Sequence, residues 1–258
     1  MTAYEKITAA RSEKRPTAIS YITRLFPEHI MLYGDRAYGN DPAIIGGIGM
    51  LDGIPVTYVA TERGNTIDER VRRNFGCPKP EGYRKALRLM KQAEKFHRPI
   101  VTFIDTSGAY CGREAEERGQ GSVIANNILE MSGLETPIIS ILIGEGESGG
   151  ALGIGVCDRL YMLEGAVYSV ISPEGCASIL LGDASKAPEM ADALRITPED
   201  NISLGIADEV ISEDGLTRPV GAVCAELKNL LKRDIAELSR LDGDALVNAR
   251  YERYAKIK

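Results

Sequence analysis

The stretch Pro137-Ile-Ile-Ser-Ile-Leu-Ile-Gly-Glu-Gly-Glu-Ser-Gly-Gly-Ala-Leu-Gly-Ile-Gly-Val156 decides the fold. Its apolar beginning, residues 137–143, is typical of a buried strand, and the glycine-dense residues 144–150 predict a tight turn. The small residues 151–156 then predict a short helix. Because the first N–H groups of a helix have no partner within it, this turn can bind a phosphate, a carboxylate or a developing oxyanion.

The flanking sequence repeats the alternation of helix and strand. Apolar residues at helical spacing over 82–96 precede an apolar run at 100–104, and a glycine-bearing loop follows at 105–112. This alternation, with apolar strands, predicts an α/β domain. The other predicted elements are helices at 18–26, 120–131 and 222–238, a hairpin over 43–60 with an Asp52-Gly53 turn, and strands at 160–163, 166–171 and 206–211.

The domain organisation follows from the same patterns. Residues 1–14 are polar and weakly patterned, so they predict a mobile or partner-docked leader. Residues 15–258 contain all of the strongly patterned segments and predict one domain that includes the C-terminal helices.

Composition excludes several classes of function. The 258 residues carry a net charge of −6, no Trp and only 4 Phe, which argues against a nucleic-acid arm or a platform for stacking bases. The five cysteines are odd in number and form no CxxC pair, so we expect neither a disulfide framework nor a metal site in this chain. No apolar signal segment or membrane-spanning window occurs, and we expect a cytoplasmic protein without membrane contact.

Three hypotheses compete for the turn at 144–150. Gly144-x-Gly146-x-x-Gly149 matches a dinucleotide motif, with Glu164 near the distance of a ribose-binding acid, but the following helix is short for the usual crossover. Gly146-Glu-Ser148-Gly-Gly150 matches the elbow of a serine hydrolase, but both histidines precede Ser148.

The third hypothesis is an oxyanion site for a CoA ester. Such chemistry needs two N–H donors near one carbonyl oxygen and no nucleophile. Gly149, Gly150 and Ala151 can supply these donors, and the loop from Ser107 to Gly112 can add a wall or a further donor. This hypothesis explains both glycine-bearing segments without a catalytic histidine.

A loose basic cluster precedes and enters the helix at 82–96. It consists of Arg70, Arg72, Arg73, Lys79, Arg84, Lys85 and Arg88. These residues fit either an ordinary surface helix or a docking patch for CoA phosphates or an acidic partner. Residues 114–118 predict a solvated helix start.

Several longer motifs occur in order along residues 15–255. They begin at Arg15-Pro-Thr-Ala-Ile-Ser-Tyr-Ile, Tyr33-Gly-Asp-Arg-Ala-Tyr, Arg73-Asn-Phe-Gly-Cys-Pro-Lys-Pro-Glu-Gly-Tyr, Phe103-Ile-Asp-Thr-Ser-Gly-Ala-Tyr, Ala115-Glu-Glu-Arg-Gly-Gln, Gly144-Glu-Gly-Glu-Ser-Gly-Gly, Tyr168-Ser-Val-Ile-Ser-Pro-Glu-Gly, Ala184-Ser-Lys-Ala-Pro and Arg250-Tyr-Glu-Arg-Tyr. Together these motifs resemble the α-subunit family of bacterial acetyl-CoA carboxylase carboxyltransferases. The chain departs from the family pattern at three positions, where Ser107 and Cys111 replace prolines and Glu147 replaces a common glycine. The loop at 105–112 is therefore expected to be less rigid than usual.

The resemblance implies a crotonase-type (ClpP/crotonase) fold of repeated β-β-α units. It implies transfer of a carboxyl group from biotin, carried on the biotin carboxyl carrier protein, to acetyl-CoA, giving malonyl-CoA for fatty acid synthesis. It further implies a site shared with a homologous β-subunit, which carries the zinc ribbon that this chain lacks, in an α2β2 assembly. The implied mechanism uses backbone oxyanion holes and no protein base or nucleophile.

The predicted site follows from these two lines of reasoning. Gly149, Gly150 and Ala151 are the expected backbone donors, most directly toward the ureido carbonyl of biotin. Two alternatives remain, namely a stand-alone crotonase-type acyl-CoA hydratase or hydrolase, and a non-catalytic scaffold for a β-subunit. The residues expected to form the substrate and biotin pocket are Ser107, Gly108, Ala109, Tyr110, Gly112, Gly146 and Ser148.

Overall fold

An eight-stranded sheet organises residues 1–257, the part of the chain that the computed structural model describes. The strands are β1 (His29–Met31), β2 (Ile44–Leu51), β3 (Ile54–Thr61), β4 (Ile100–Thr106), β5 (Ile138–Glu147), β6 (Arg159–Leu163), β7 (Val167–Ser169) and β8 (Glu209–Ile211). The helices are α1 (Ala3–Ala10), α2 (Ala18–Leu25), α3 (Ile67–Arg72), α4 (Pro80–Lys95), α5 (Arg113–Glu117), α6 (Gln120–Ser132), α7 (Ser148–Gly155), α8 (Pro173–Leu181), α9 (Ala187–Ala193), α10 (Pro198–Ser203), α11 (Val220–Leu238) and α12 (Gly243–Ala255).

The sheet is antiparallel at one side and parallel elsewhere. Strands β1, β2 and β3 pair antiparallel, and the predicted hairpin turn is present, with positive φ at Asp52 (47°) and Gly53 (84°). From β3 the order continues through β4, β5, β6 and β8 in parallel. Strand β5 changes partner along its length, because residues 139–142 pair with β6 whereas residues 145–147 pair with β7.

The parallel strands lie in the core. Every residue of β4 and of β5 is buried, as their continuous apolar runs predict for strands covered on both faces. Helices α4, α6 and α7 pack against one another and α4 and α7 also pack against the sheet. Because parallel strands end at the same edge, the segments that follow β4 and β5 are brought together there.

Strand β5 is longer than the sequence pattern predicts. It continues to Glu147, so Gly144 and Gly146 lie within the strand and not in a turn. The reason is packing, since a Cβ at Gly144 would collide with the carboxylate of Asp105, and one at Gly146 would collide with Leu142 and Tyr168. These two glycines therefore permit close side-chain approach to the strand.

The first residues form a packed helix, so the expectation of a mobile leader is wrong. Thr2 and Glu5 form a capping box at the start of α1. Ala3, Ile7 and Ala10 are buried on one face of this helix. They pack in one apolar cluster with Val167, Ala191 and Ile196.

The C-terminal helix α12 is fixed to the body by a buried arginine. Arg250 is 1% exposed, and its guanidinium donates from Nε and Nη2 to Asp158 at 2.8 and 3.0 Å. Nearby, the Tyr254 hydroxyl accepts a hydrogen bond from the Cys157 amide at 2.9 Å. Arg250 also donates to the backbone carbonyls of Met131, Leu134 and Thr136. Within residues 1–257, no helix combines the length and apolarity that crossing a membrane requires.

Candidate active site

The junction of β5 and α7 is a sharp turn without an intervening loop. Glu147 ends the strand and Ser148 begins the helix with a φ of 57°, in the left-handed region. No side chain caps this helix, and within residues 1–257 no acceptor outside the helix is found for the amides of Gly149, Gly150 and Ala151. The turn thus presents free N–H groups at the positive end of the helix dipole.

Gly150 brings the two predicted glycine segments into contact. A Cβ at this position would lie 2.5 Å from the Ala109 nitrogen and from the Gly108 carbonyl carbon, so only glycine fits. The Gly150 carbonyl accepts a hydrogen bond of 3.0 Å from the buried Tyr83 hydroxyl. Gly150 is therefore held between the loop after β4 on one side and α4 on the other.

The loop after β4 is stabilised by hydrogen bonds to its own backbone and to neighbouring segments. The Thr106 hydroxyl donates to the Gly108 carbonyl at 2.8 Å, and Gly108 has a φ of 135°. The Tyr110 amide donates to the Pro78 carbonyl at 3.0 Å. The Gln120 side-chain amide spans the same two segments, donating to the carbonyls of Pro78 and Tyr110. The loop is therefore anchored at both ends.

Tyr110 folds back over its own loop. Its ring lies where a Cβ at Gly112 would be, which requires glycine at that position. The Lys79 ammonium lies 4.7 Å from the ring centroid, within the range of a cation–π contact. The exposed Ser107 hydroxyl lies 3.5 Å from the Cys77 sulfur. This loop therefore presents Ser107 and Cys111 to solvent and Ala109 and Gly108 to Gly150.

A cavity of about 340 Å³ opens beside the turn. Its walls are mostly apolar, and of the predicted site residues it includes Ser148 and Gly149. The loop residues 107–112 are not part of its lining, and of these Gly108 and Ala109 contact Gly150 instead. Gly146 lies below it, under the Tyr168 ring. The lining residues that the sequence did not indicate are Leu152, Tyr168, Ser169, Val170, Leu194, Arg195, Asn201, Leu204 and Ile206.

Comparison with known proteins decides the family. A family model described as acetyl co-enzyme A carboxylase carboxyltransferase-like matches residues 1–258. The acetyl-coenzyme A carboxylase carboxyl transferase subunit alpha of Ruminiclostridium cellulolyticum is 52% identical over 257 residues, covering 100% of this chain and 98% of that protein. The chain belongs to the family of acetyl-CoA carboxylase carboxyltransferase alpha subunits. The family that the sequence motifs predicted is thereby confirmed, and with it a carboxyltransferase function.

Two further matches extend this result. The acetyl-coenzyme A carboxylase carboxyl transferase subunits beta/alpha protein of Clostridium tetani is 53% identical over 259 residues, and this chain spans 45% of its length. A chain of a Pseudomonas malonate decarboxylase hetero-tetramer, solved in complex with coenzyme A, is 18% identical and superposes with a TM-score of 0.72 over 92% of this chain and 94% of that one. The structural likeness confirms the predicted crotonase-type α/β fold.

A partly buried charge cluster lies behind the turn of this carboxyltransferase subunit. We call Arg11, Glu145, Glu147 and Glu174 the acidic cluster. Arg11 donates to Glu145 at 2.8 Å and to Glu174 at 2.8 Å, and its Nη2 lies 3.9 Å from Glu147 Oε1. On the other side of Glu145, Arg63 donates to Glu145 and to Asp105 at 3.0 and 2.8 Å.

Glu147 is the least satisfied member of the acidic cluster. Its side chain is 4% exposed, and Oε1 has no hydrogen-bond partner within residues 1–257. Burial, together with the charge of Glu145, raises the pKa of Glu147 to about 8, and Arg11 opposes the shift. Glu147 therefore carries a proton near neutral pH. Sequence analysis missed this cluster, although two glutamates at alternate positions of a buried strand were a visible signal.

The structure does not support the two competing hypotheses for the turn. Glu164, the proposed ribose acid, accepts hydrogen bonds from the amides of Glu213 and Gly215 and holds the loop after β8. Gly144 and Gly146 lie in a strand and not in a phosphate-binding loop. In residues 1–257 no hydrogen bond joins Ser148 to a histidine, and His29 instead bonds the Phe26 carbonyl.

Proposed function

We propose that this chain forms the part of a carboxyltransferase site that holds biotin while its carboxyl group passes to acetyl-CoA, giving malonyl-CoA. The observation that carries the proposal is the pair of unpartnered amides at Gly149 and Gly150, held in a turn that contains no activated nucleophile. Family membership supports the same chemistry.

The proposed donors act through the backbone. The amides of Gly149, Gly150 and Ala151 would bind the ureido carbonyl oxygen of biotin as negative charge develops on it. Because these groups are fixed by the helix start and by the Gly108–Ala109 contact, they need little reorganisation during the reaction. No side chain of this chain is assigned as a base or nucleophile. Ser107, Gly108, Ala109, Tyr110 and Gly112 would form the wall beside the donors, with Gly146 and Ser148 shaping the turn.

The residues present fit biotin as the carried group. The cavity of about 340 Å³ beside Ser148 and Gly149 is mostly apolar and has amide donors at its rim, which suits a small neutral bicycle with one polar carbonyl. Biotin supplies the carboxyl group when it is bound. Leu152 and Leu194 would exclude water from the ring, and Gly149 would orient its carbonyl.

We further propose a shared site with a β-subunit that carries a zinc ribbon, in an α2β2 assembly in the cytoplasm. The name of the Clostridium tetani relative, which joins beta and alpha subunits, supports this partner. The biotin would arrive on a biotin carboxyl carrier protein. A scaffold role would make the Gly149 amide dispensable, and a stand-alone hydratase or hydrolase would require activity without a partner.

The test compares three variants in the chain co-purified with a β-subunit. Gly149→Ala adds a Cβ that meets only Ile124 at 3.5 Å and keeps the amide, so we expect activity within about threefold of the parent. Gly149→Pro removes the amide at a helix start, where proline is tolerated. Losing one oxyanion donor costs about 3 kcal/mol, on the order of a hundredfold in kcat. Ser148→Ala should keep most activity, because no hydroxyl attacks.

Assembly and thermal midpoint are measured alongside biotin-dependent decarboxylation of malonyl-CoA, since proline also restricts the residue before it. Full activity of an assembled Gly149→Pro enzyme would reject the backbone donors. Loss of turnover in an assembled Ser148→Ala enzyme would point instead to a serine mechanism. Activity of the chain alone would favour the stand-alone alternative.

A further inference from the structure

A second cavity, of about 220 Å³, lies where the segment before β2 meets α3 and α4. Arg72, Arg73 and Lys85 line it, and we call it the basic pocket. The rest of the lining is uncharged and consists of Ile19, Met31, Leu32, Tyr33, Asn40, Pro42, Ile44, Ile45 and Gly46. The basic pocket therefore concentrates positive charge in a chain whose net charge is −6.

Lys85 is buried in this pocket without a carboxylate partner. It is 1% exposed, and its ammonium donates to Asn40 Oδ1 at 2.8 Å and to the Asp41 carbonyl at 2.7 Å, which are both neutral acceptors. These two bonds leave one of its three N–H groups free. Burial lowers the pKa of Lys85 to about 8, with the charge of Asp41 opposing the shift and those of Arg88 and Arg73 adding to it.

Arg73 also has unused hydrogen-bonding capacity. Its Nη1 donates to the Pro42 carbonyl at 2.7 Å, again a neutral acceptor. Its Nε is buried and has no partner within residues 1–257. A buried donor on a cation is costly to leave unpaired, so this nitrogen indicates a missing acceptor.

The carboxylates nearest Lys85 bond to other groups, although the charge of Asp41 acts on Lys85. Asp35 accepts from Arg84 at 2.7 Å and from three backbone amides. Asp41 accepts from the amides of Ala43 and Lys79. Among residues 1–257 no ion pair within 4.0 Å forms at Arg72, Arg73, Lys85 or Arg88. Like charges held this close in a partly buried site are stabilised by a bound anion.

We propose that the basic pocket binds a phosphate-bearing anion. Arginine is suited to phosphate because its planar fork presents several N–H groups together, and Lys85 adds a fixed point charge. A volume of about 220 Å³ admits a phosphate group but not a whole nucleotide. Tyr33, 68% exposed at the rim, provides a ring on which the remainder of a nucleotide can rest. The site does not depend on carboxyl transfer.

The phosphate has two possible sources, and calorimetry separates them. The full chain is titrated in chloride buffer with inorganic phosphate, with coenzyme A and with coenzyme A lacking its 3′-phosphate. Binding of inorganic phosphate alone assigns a free-phosphate site. If coenzyme A competes with phosphate and binds at least about tenfold more tightly than its dephospho form, the group bound in the basic pocket is the 3′-phosphate of a nucleotide.

Two variants and a control locate the binding. Arg72→Gln removes an exposed cation at the rim, and Arg73→Lys keeps the charge but removes the orphaned Nε. Each is expected to weaken phosphate binding about tenfold with little change in thermal midpoint. Arg113→Gln, whose side chain is 91% exposed and paired with Glu117, is expected to leave binding unchanged. Absence of binding by all three ligands, or equal affinity in the parent, Arg72→Gln and Arg73→Lys, would overturn the proposal.

Discussion

Two buried charge clusters in this fold differ in how completely their charges are matched. Under α12, Arg250 faces the single carboxylate of Asp158, whose Oδ2 also accepts from the Ile138 amide at 2.7 Å. Behind the turn from β5 into α7, Arg11 faces three carboxylates, and Glu147 Oε1 has no hydrogen-bond partner within residues 1–257. In the first cluster the positive and negative charges are matched, whereas in the second the carboxylates outnumber the arginine.

The difference indicates separate roles. A fully satisfied buried network holds two segments in one arrangement, and removing one partner leaves the other charge buried and unpaired. A cluster with surplus carboxylates keeps a proton and changes its charge as pH rises. We therefore expect the Arg250 cluster to govern stability, and the acidic cluster to govern how the turn from β5 into α7 responds to pH.

The largest expected effect tests the cluster with matched charges. Arg250→Met removes the guanidinium and leaves Asp158 buried with only the Ile138 amide as a partner. We expect a loss of about 3–5 kcal/mol in the free energy of unfolding, measured by urea denaturation. Arg240→Met, at an exposed position after α11, serves as the control. A loss below about 1 kcal/mol would show that α12 is held by its apolar contacts.

The parts of the fold that the sequence predicted are those determined by local pattern. The apolar runs of β4 and β5 and the Asp52-Gly53 turn each specify their structure within a few residues. The predicted donors Gly149, Gly150 and Ala151 do lie at a helix start, where glycine at position 150 permits the close approach of Gly108 and Ala109. Their role as oxyanion donors stays a prediction.

What the sequence could not predict depends on contacts between distant residues. Gly144 and Gly146 have the composition of a turn, but Asp105 and Tyr168, from other strands, require glycine inside β5. The acidic cluster joins Arg11 to Glu145, which are 134 residues apart. Ala3, Ile7 and Ala10 are too few to predict a buried helix face by themselves. Their burial depends on packing against Val167, Ala191 and Ile196, which are distant in the sequence.

The second prediction removes the base from the acidic cluster. Arg11→Met deletes the hydrogen bonds to Glu145 and Glu174. These bonds connect the end of α1 to the strand and helix beside the turn from β5 into α7. Because the Arg11 side chain is 37% exposed, water replaces part of the interaction, and we expect a loss of about 2 kcal/mol. Urea denaturation measures it, with the exposed Lys14→Met as the control. Equal stability of the two variants would mean that α1 is held by its apolar face alone.

The third prediction distinguishes the two clusters by how their stability depends on pH. Glu147→Gln keeps the shape of the protonated side chain and cannot ionise. In the parent, the pKa of Glu147 is raised to about 8 by burial, whereas in the unfolded chain it is near 4.5. The folded parent therefore holds a proton that the unfolded chain releases, and its stability falls as pH rises from about 5 through 8. The variant is free of this loss.

The thermal midpoints should thus be nearly equal at pH 5, and Glu147→Gln should be higher by on the order of 10 °C at pH 9. Arg11 limits the gap by favouring the ionised form, and Glu145 and Glu174 widen it. Glu117→Gln, at an exposed position on α5, controls for the loss of one acid and should show no such trend. A gap that stays constant from pH 5 to 9 would mean that Glu147 is ionised throughout. In that case Arg11 alone would compensate the buried charge, and the charges of the acidic cluster would be as well matched as those under α12.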